Sequence, residues 1–539
     1  MFLFQAAKHF HDPGFEQEYL SFHGILQMIK GWIDVKPVID DKNGLGHCCE
    51  VDATNNGKST ALAKINKIQS FSKGVVPHSG PNFREIVFMK YLMAILLSGG
   101  FLTTNAQNAD LKTIDRLQGD IQKYMQLSRV AGLSVGVIYN GRLIWQQGFG
   151  VMNTETGKPV TSQTVFECNS LSKPVFAYGV MQLVRSGRLN LDTPVVRYMD
   201  TGWHISRDSR INLVTARMLL SHSSGLKDIS ENEAGFNFNP GERWQYAPAG
   251  YQVLTQVVER ITSEPIEQYM KEAVLAPLGM VNSSFTWLPQ YDSLRAYSHN
   301  WQGKVAGPPF KWQHGAGCCS LQSTPEDYSR FIIAIMHDTT GIVIPQIKTG
   351  TEWPDIAWGI GWGLEMHGTD TTIWHWGDGG NSKDYIVADL AHNNAVVLFS
   401  NSQNGLFFVR ELLTMTLGRK YQSPEFLGYQ RYDSPSWLAL ESIMANGAAA
   451  FLQTFHKDSL SEAQLNTIGY RLTEAGKLAD AVAILQRNAA DHPASANAWD
   501  SLAEACAKAG DEKAARQYYQ KSLQLKPANK KAENWLRNH

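Results

Sequence analysis

Cysteine is scarce in this chain, with six in 539 residues, and none stands in a C-x-x-C pair or at metal-ligand spacing from a histidine. That pattern implies neither a zinc site nor a disulfide framework. The adjacent Cys318-Cys319 pair reads as small buried filler. An excess of one charge is also lacking: 49 Lys and Arg face 50 Asp and Glu, with no dense basic run. Nucleic acid and anionic membrane surfaces are therefore not expected as partners, which leaves small molecules and proteins. Long apolar runs are missing too. The stretch Leu92 to Leu102 is roughly a dozen residues against the ~20 of a transmembrane helix, so no stable membrane span is expected.

What is present is ample for a sizeable core: 43% hydrophobic and 11% aromatic residues, in a length that predicts more than one domain. The first hundred residues divide at Met89. Met89-Lys90-Tyr91, the apolar run, and Thr104-Asn105-Ala106 form the charged, apolar and small-residue parts of a secretory signal. Residues 89–106 are thus expected to be a signal peptide cleaved after Ala106, with an exported, periplasmic or secreted product. A signal peptide should not begin at residue 89. Residues 1–88, without sustained periodicity, therefore read as an upstream extension with little folded role; the alternative is an N-terminal domain with a buried apolar segment. Asn56-Gly57-Lys58-Ser59-Thr60 imitates a phosphate-binding loop but has Asp52 where the first glycine belongs, and is discounted.

From Leu111 the pattern becomes regular. A helical period (Leu111, Ile114, Leu117, Ile121, Met125) precedes two strand-like runs, Ser134 to Tyr139 and Arg142 to Phe149, joined by the hairpin signal Asn140-Gly141. A second hairpin, Asp384 to Asp389 and Asn394 to Ser400, comes late, before a closing helix near Leu406 to Leu417. Strands at both ends with helices between predict an α+β unit over residues 107–422: an antiparallel sheet built from the two ends of the chain and flanked by helices, with a helical subdomain.

Ser-x-x-Lys occurs three times, from Ser70, Ser170 and Ser224. Only Ser170-Leu171-Ser172-Lys173 leads into a long apolar helical pattern, through Val175, Phe176, Val180, Met181, Leu183 and Val184 to a stop at Gly187. One helical turn brings the amine beside the hydroxyl, where it can help remove the proton, and a helix N-terminus favours the developing negative charge. On this motif alone, Ser170 as an N-cap and Lys173 as a solvated first-turn residue remain an equal reading.

The order of further motifs adds to it. Tyr246-Ala247-Pro248, His375-Trp376-Gly377, Leu219 to Leu226, and Gly315 to Asp327 follow in sequence. Together with Ser170-x-x-Lys173 they resemble the serine β-lactamase and penicillin-binding-protein superfamily, in its class C-like, esterase-like branch. The resemblance implies a β-lactamase/transpeptidase-like fold and acyl transfer. It implies Ser170 as nucleophile, with Lys173 and Tyr246 sharing the proton and Tyr246 the general base. His375 stands in the third motif, and the backbone N–H groups of Ser170 and Asp378 form the oxyanion hole. Gly377 is expected to let the strand edge approach the substrate without a Cβ, and Trp376 to border it.

Two departures bear on substrate. Pro248 stands where lactam-hydrolysing members carry Asn, and has neither side-chain donor nor N–H. His375 stands where they carry Lys, replacing a fixed charge with a group expected to titrate near neutrality. Trp353, Trp358, Trp362, Trp374 and Trp376 crowd the third motif, as an apolar acyl or alcohol pocket or as plain core packing. His222 reads as a structural hydrogen-bonding histidine. Asp378 and Asp384 are not assigned as triad acids.

Beyond Ser423 the composition shifts. Residues 423–455 read as a linker and helix, and 456–539 as an all-α tetratricopeptide-repeat module: Leu465 and Trp499, Gly476 and Gly510, Ala481 and Ala515, and Pro493 and Pro527 recur 34 residues apart. The repeats suit a protein or peptide partner, or serve as a stabilising appendage. The expected function is a serine hydrolase acting on an ester or small amide. Its rivals are a β-lactamase or D-Ala-D-Ala carboxypeptidase, and a non-catalytic penicillin-recognising or scaffold protein. The substrate is a small-molecule ester, lactam or peptide, and no metal or organic cofactor is implied.

Overall fold

The computed structural model describes residues 116–539, apart from 202, 204, 228–234 and 339–340, together with two short strands near the N-terminus. Those strands, Val35–Val38 and Cys48–Val51, pair antiparallel with Val35 opposite Val51. The phosphate-loop imitation and the signal peptide lie outside the described residues, as does the rest of the upstream extension.

A nine-stranded antiparallel sheet organises the chain from residue 116 onward. Its strands are β1 (Gly132–Tyr139), β2 (Arg142–Asn153), β3 (Lys158–Pro159), β4 (Ile347–Lys348), β5 (Ile356–Trp358), β6 (Gly363–His367), β7 (Asp370–Asp378), β8 (Lys383–Asp389) and β9 (Asn394–Ser400). The order across the sheet is β4-β5-β6-β7-β8-β9-β1-β2-β3. The join between β9 and β1 pairs Val397 with Gly136 and unites the late strands with the early ones, as the two hairpins predict.

Both faces of this sheet are covered, which is why β9 is apolar along nearly its whole length. Alternate residues go to opposite sides. Ala395, Val397 and Phe399 pack with helices α1 (Ser172–Arg185), α2 (Pro248–Thr262) and α3 (Pro325–Met336). Val396 and Leu398 pack with Leu117, Ile121 and Met125 of the helical stretch 116–128 and with Leu412 and Leu413 of α4 (Val409–Leu417). Local signals set the helix ends. Thr324 caps α3 by accepting the Asp327 N–H, Pro325 occupies the first turn, and Gly187 follows α1 in a left-handed conformation.

The C-terminal part is helical: α5 (Pro435–Asn446), α6 (Ala448–Thr454), α7 (Glu462–Glu474), α8 (Leu478–Asp491), α9 (Ala496–Lys508), α10 (Glu512–Leu525) and α11 (Lys530–Asn538). The 34-residue recurrence has structural counterparts. Gly476 and Gly510 both end a helix with positive φ, and Ala481 and Ala515 are both fully buried. This array docks on the sheet unit through Trp301, Phe407 and Trp437, which share a core with Leu465, Ile468 and Leu472. Arg471 lies over Trp301 and Trp437, and Glu474 accepts the Trp301 indole N–H. The stretch after residue 422 is more than a connector, since Ser423 Oγ hydrogen-bonds Tyr385 at 2.8 Å and Phe426 packs on Trp374. No described helix is long and apolar enough to cross a membrane.

Candidate active site

Ser170 sits in a 3-10 turn, Asn169–Leu171, that runs directly into α1. Local preference and contacts from distant segments together make that turn. Asn169 takes a left-handed φ of 47°, which asparagine tolerates better than most residues, and its amide donates to Glu167 O, Ser382 Oγ and Asp384 Oδ2. Ser172 Oγ donates to Asn169 O at 2.6 Å and accepts the Leu321 N–H, while Tyr328 donates to Leu171 O. The residue bearing the hydroxyl is thus fixed from both sides.

Lys173 is fully buried, and its Nζ donates to Ser170 Oγ at 2.9 Å and to Cys318 O at 2.8 Å. It also lies 5.0 Å from the centroid of the Tyr246 ring and 5.6 Å from that of Tyr251. The Ser170, Lys173 and Tyr246 side chains, 76 residues apart in the chain, therefore meet. Tyr246 precedes α2, in which Pro248 takes the first turn, where a missing N–H costs nothing. The Tyr246 hydroxyl is buried with no protein partner, as are Nε2 of His222 and Nε2 of His375.

His375 lies in the middle of β7, fully buried, with Nδ1 at 2.8 Å from Trp376 O. Burial and then the Lys173 ammonium bring its pKa down to about 3. The expectation that it titrates near neutrality is therefore corrected: the imidazole is neutral at ordinary pH. His222 is buried with φ of 57°, its Nδ1 accepts the Ala247 N–H at 3.1 Å, and its ring lies 4.3 Å from that of Tyr246. This is the hydrogen-bonding role anticipated for it.

The end of β7 packs on the Ser170 turn. A Cβ on Gly377 would lie 2.5 Å from Asp384 Oδ2 and 2.6 Å from Cys168 O, so glycine here lets the strand close on that turn. This packing is a second reason for glycine here, beside the room for substrate expected from sequence. Asp384 is wholly buried, and burial raises its pKa well above the carboxylate range; Asn169 is its hydrogen-bond donor. Asp378 ends β7. Burial opposes its ionisation, yet the Lys383 ammonium at 2.6 Å, the Tyr429 hydroxyl and the Gly380 N–H hold its pKa below the usual value.

Of the five tryptophans flagged from sequence, Trp358, Trp362 and Trp374 are fully buried core, and Trp362 stacks on Phe331 away from the motif. Trp376, which is only part-buried, packs on Tyr246 with centroids 4.7 Å apart, and buried Trp358 meets the same ring edge-on at 6.1 Å. Sequence reasoning missed Asn169, Trp244 and Tyr429. Trp244 packs on Trp358 and Phe426, and Tyr429 reaches Asp378 from beyond the expected domain boundary. The Gly-Glu-Arg-Trp run beside Tyr246 was the available signal for Trp244; Tyr429 had none. Among the described residues no group of His, Cys, Asp or Glu is arranged to hold a metal ion.

Several known proteins resemble this chain in sequence or fold. Esterase EstB from Burkholderia gladioli is 30% identical over 200 residues, covering 32% of this chain and 51% of the esterase. Protein flp from Staphylococcus aureus (strain N315) is 21% identical over 332 residues, or 55% of this chain and 64% of that protein. Putative penicillin-binding protein PbpX from Bacillus subtilis (strain 168) is 26% identical over 225 residues, or 39% of this chain and 54% of PbpX. The chain thus spans between about half and two thirds of these relatives. A solved class C β-lactamase superposes with a TM-score of 0.51 at 18% identity, over 57% of this chain and 96% of that one. The octameric penicillin-binding protein homologue from Pyrococcus abyssi gives 0.50 at 22%, over 62% and 82%. These two share the fold. Residues 117–415, more than half of the chain, match the family described as Beta-lactamase, and the protein belongs to that family of β-lactamase/transpeptidase-fold serine hydrolases.

Proposed function

We propose that the protein is a serine hydrolase that cleaves an ester or small amide through an acyl-enzyme on Ser170. The contact between Lys173 Nζ and Ser170 Oγ, at 2.9 Å, carries this reading. Ser170 Oγ attacks the substrate carbonyl and its proton passes to the Lys173 and Tyr246 pair; Tyr246 returns a proton to the leaving group. The backbone N–H groups of Ser170 and Asp378 receive the oxyanion. Water then releases the acyl group by the reverse proton route.

Two features favour a neutral ester over a lactam. Pro248 offers no amide to a lactam side chain, and neutral His375 supplies no fixed cation for a substrate carboxylate. The likeness to an esterase over 200 residues points the same way. Trp376 and Tyr429 at the rim suit an apolar or aromatic acyl group. The C-terminal helices are read as tetratricopeptide repeats that bind a peptide or protein partner.

The test is intact-mass spectrometry of the protein and its Ser170→Ala variant after a short-chain p-nitrophenyl ester, nitrocefin and a fluorophosphonate, with turnover followed in parallel. Label on Ser170 with ester turnover and little nitrocefin loss is the expected result. Rapid nitrocefin turnover makes the protein a β-lactamase, and absence of any Ser170-dependent label moves the function to the helical array.

A further inference from the structure

Cys318 and Cys319 do not behave as the small buried filler the sequence suggests. Their sulfurs are 2.7 Å apart, against about 2.05 Å for a covalent S–S bond, and either can donate to the other. Cys318 is buried, whereas Cys319 is part-exposed. The carbonyl between them is the second anchor of Lys173, 2.8 Å from Nζ. A dithiol thus abuts the lysine that holds Ser170, and any change in the peptide joining the two cysteines is felt at that lysine.

We propose that Cys318 and Cys319 form an oxidation site, at which a hydroperoxide closes a vicinal disulfide that draws the Cys318 carbonyl away from Lys173. Adjacent α-carbons of a trans peptide lie about 3.8 Å apart, below the ~4.4–6.8 Å span that disulfides normally bridge. Ring closure therefore twists the intervening peptide, and the carbonyl it carries turns with it. The effect on catalysis rests on the role proposed above for Ser170 and Lys173; the oxidation itself does not.

The chemistry is balanced with hydrogen peroxide as the oxidant. The Cys318 thiolate, hydrogen-bonded by the Cys319 S–H, attacks one peroxide oxygen. The O–O bond breaks, the departing hydroxide takes up the proton lost by Cys318 and leaves as water, and Cys318 becomes a sulfenic acid. Cys319 loses its proton as its sulfur attacks that of Cys318; the S–O bond breaks and the hydroxide leaves with that proton as a second water. Two thiol hydrogens and two electrons pass to the peroxide, giving one disulfide and two waters. The hydrogen bond from Cys319, with burial opposing and the Lys173 charge assisting, lowers the Cys318 thiol to about 7, while the same hydrogen bond and burial raise Cys319, so Cys318 is the attacking thiolate and Cys319 the resolving thiol. The strained ring is expected to be readily reduced again.

The experiment uses the full chain, reduced with dithiothreitol, exchanged, and treated with hydrogen peroxide before alkylation and tryptic digestion. Residues 312–330 form one tryptic peptide holding both cysteines. It should appear unalkylated and lighter by two hydrogen atoms. Ester turnover and fluorophosphonate labelling of Ser170 should fall about tenfold, the scale of one lost charge-assisted hydrogen bond, and return with dithiothreitol. Cys319→Ser should keep its own reduced-state turnover through the same treatment. A peptide that still takes two alkyl groups overturns the site. A disulfide that forms without loss of turnover overturns its link to Lys173, and so does a Cys319→Ser variant as peroxide-sensitive as the parent. Reduced protein that neither labels at Ser170 nor cleaves any ester overturns the hydrolase reading, while the peptide mass still decides the disulfide.

Discussion

His222 lies against Tyr246 with ring centroids 4.3 Å apart and accepts the backbone N–H of Ala247 at Nδ1. Burial, then the Lys173 charge and His375, push its pKa well below the ordinary value, so Nδ1 keeps the lone pair that this bond needs. His222→Ala leaves a buried N–H unpaired beside Tyr246. We expect a loss of about 1–3 kcal/mol in unfolding free energy and a turnover reduced about tenfold or more, with KM little changed. His222→Asn, which tolerates the left-handed backbone and retains an acceptor, should recover part of both. Equal losses for the two variants in urea titrations and ester kinetics would contradict this account.

Lys173→Met removes the donor to Ser170 while keeping a long side chain in the buried site. Fluorophosphonate labelling of Ser170 should slow by roughly 100-fold to 10,000-fold. Labelling within threefold of the parent would mean that Lys173 takes no part in activating the serine.

Acid should unfold the protein earlier than its surface charges alone require. An unfolded histidine binds a proton below about 6.5, whereas folded His375 does so only near 3. Between those values unfolding takes up a proton, so stability rises with pH and is lost as pH falls from about 6.5 towards 3. At pH 5 this histidine alone costs about 2 kcal/mol relative to neutral pH. Urea midpoints of His375→Gln should fall less steeply than those of the parent between pH 7 and pH 5; parallel curves would refute it.

Pro248→Asn places a side-chain amide in the helix turn that follows Tyr246. Nitrocefin hydrolysis should rise by about tenfold, with ester turnover kept within a few-fold. A rate that is unchanged or lower, in a variant with the parent's melting temperature, removes Pro248 as the reason for disfavouring lactams.

Trp376→Ala opens the rim beside Tyr246. The ratio of kcat/KM for an aromatic acyl ester to that for an acetyl ester should drop about tenfold. If both esters lose equally, Trp376 supports Tyr246 and does not select substrate.

Much of the fold was legible because its signals are local. Asn140-Gly141 turns β1 into β2 at residues where asparagine and glycine take positive φ, and Asp384 to Ser400 form a hairpin within one residue of the expected bounds. The site was legible as a list of residues whose assembly depended on the order of motifs. Where the reading fell short, burial or a distant segment intervened. His375 is held neutral by burial beside Lys173, Gly377 also answers to Asp384 and Cys168, and only the packing chose the core reading for Trp358 and Trp374.

The amino-acid order by itself determines the helix after Ser170, the hairpins and the helix caps, since each rests on backbone preferences or side-chain spacing within a few turns, and the 34-residue recurrence is read directly from spacing. Only the tertiary structure decides that Lys173 is held by the carbonyl of Cys318, 145 residues away, that Tyr429 meets Asp378 across 51 residues, and that His375 stays neutral. Those outcomes depend on desolvation and on contacts between remote segments, and neither quantity is carried by local sequence.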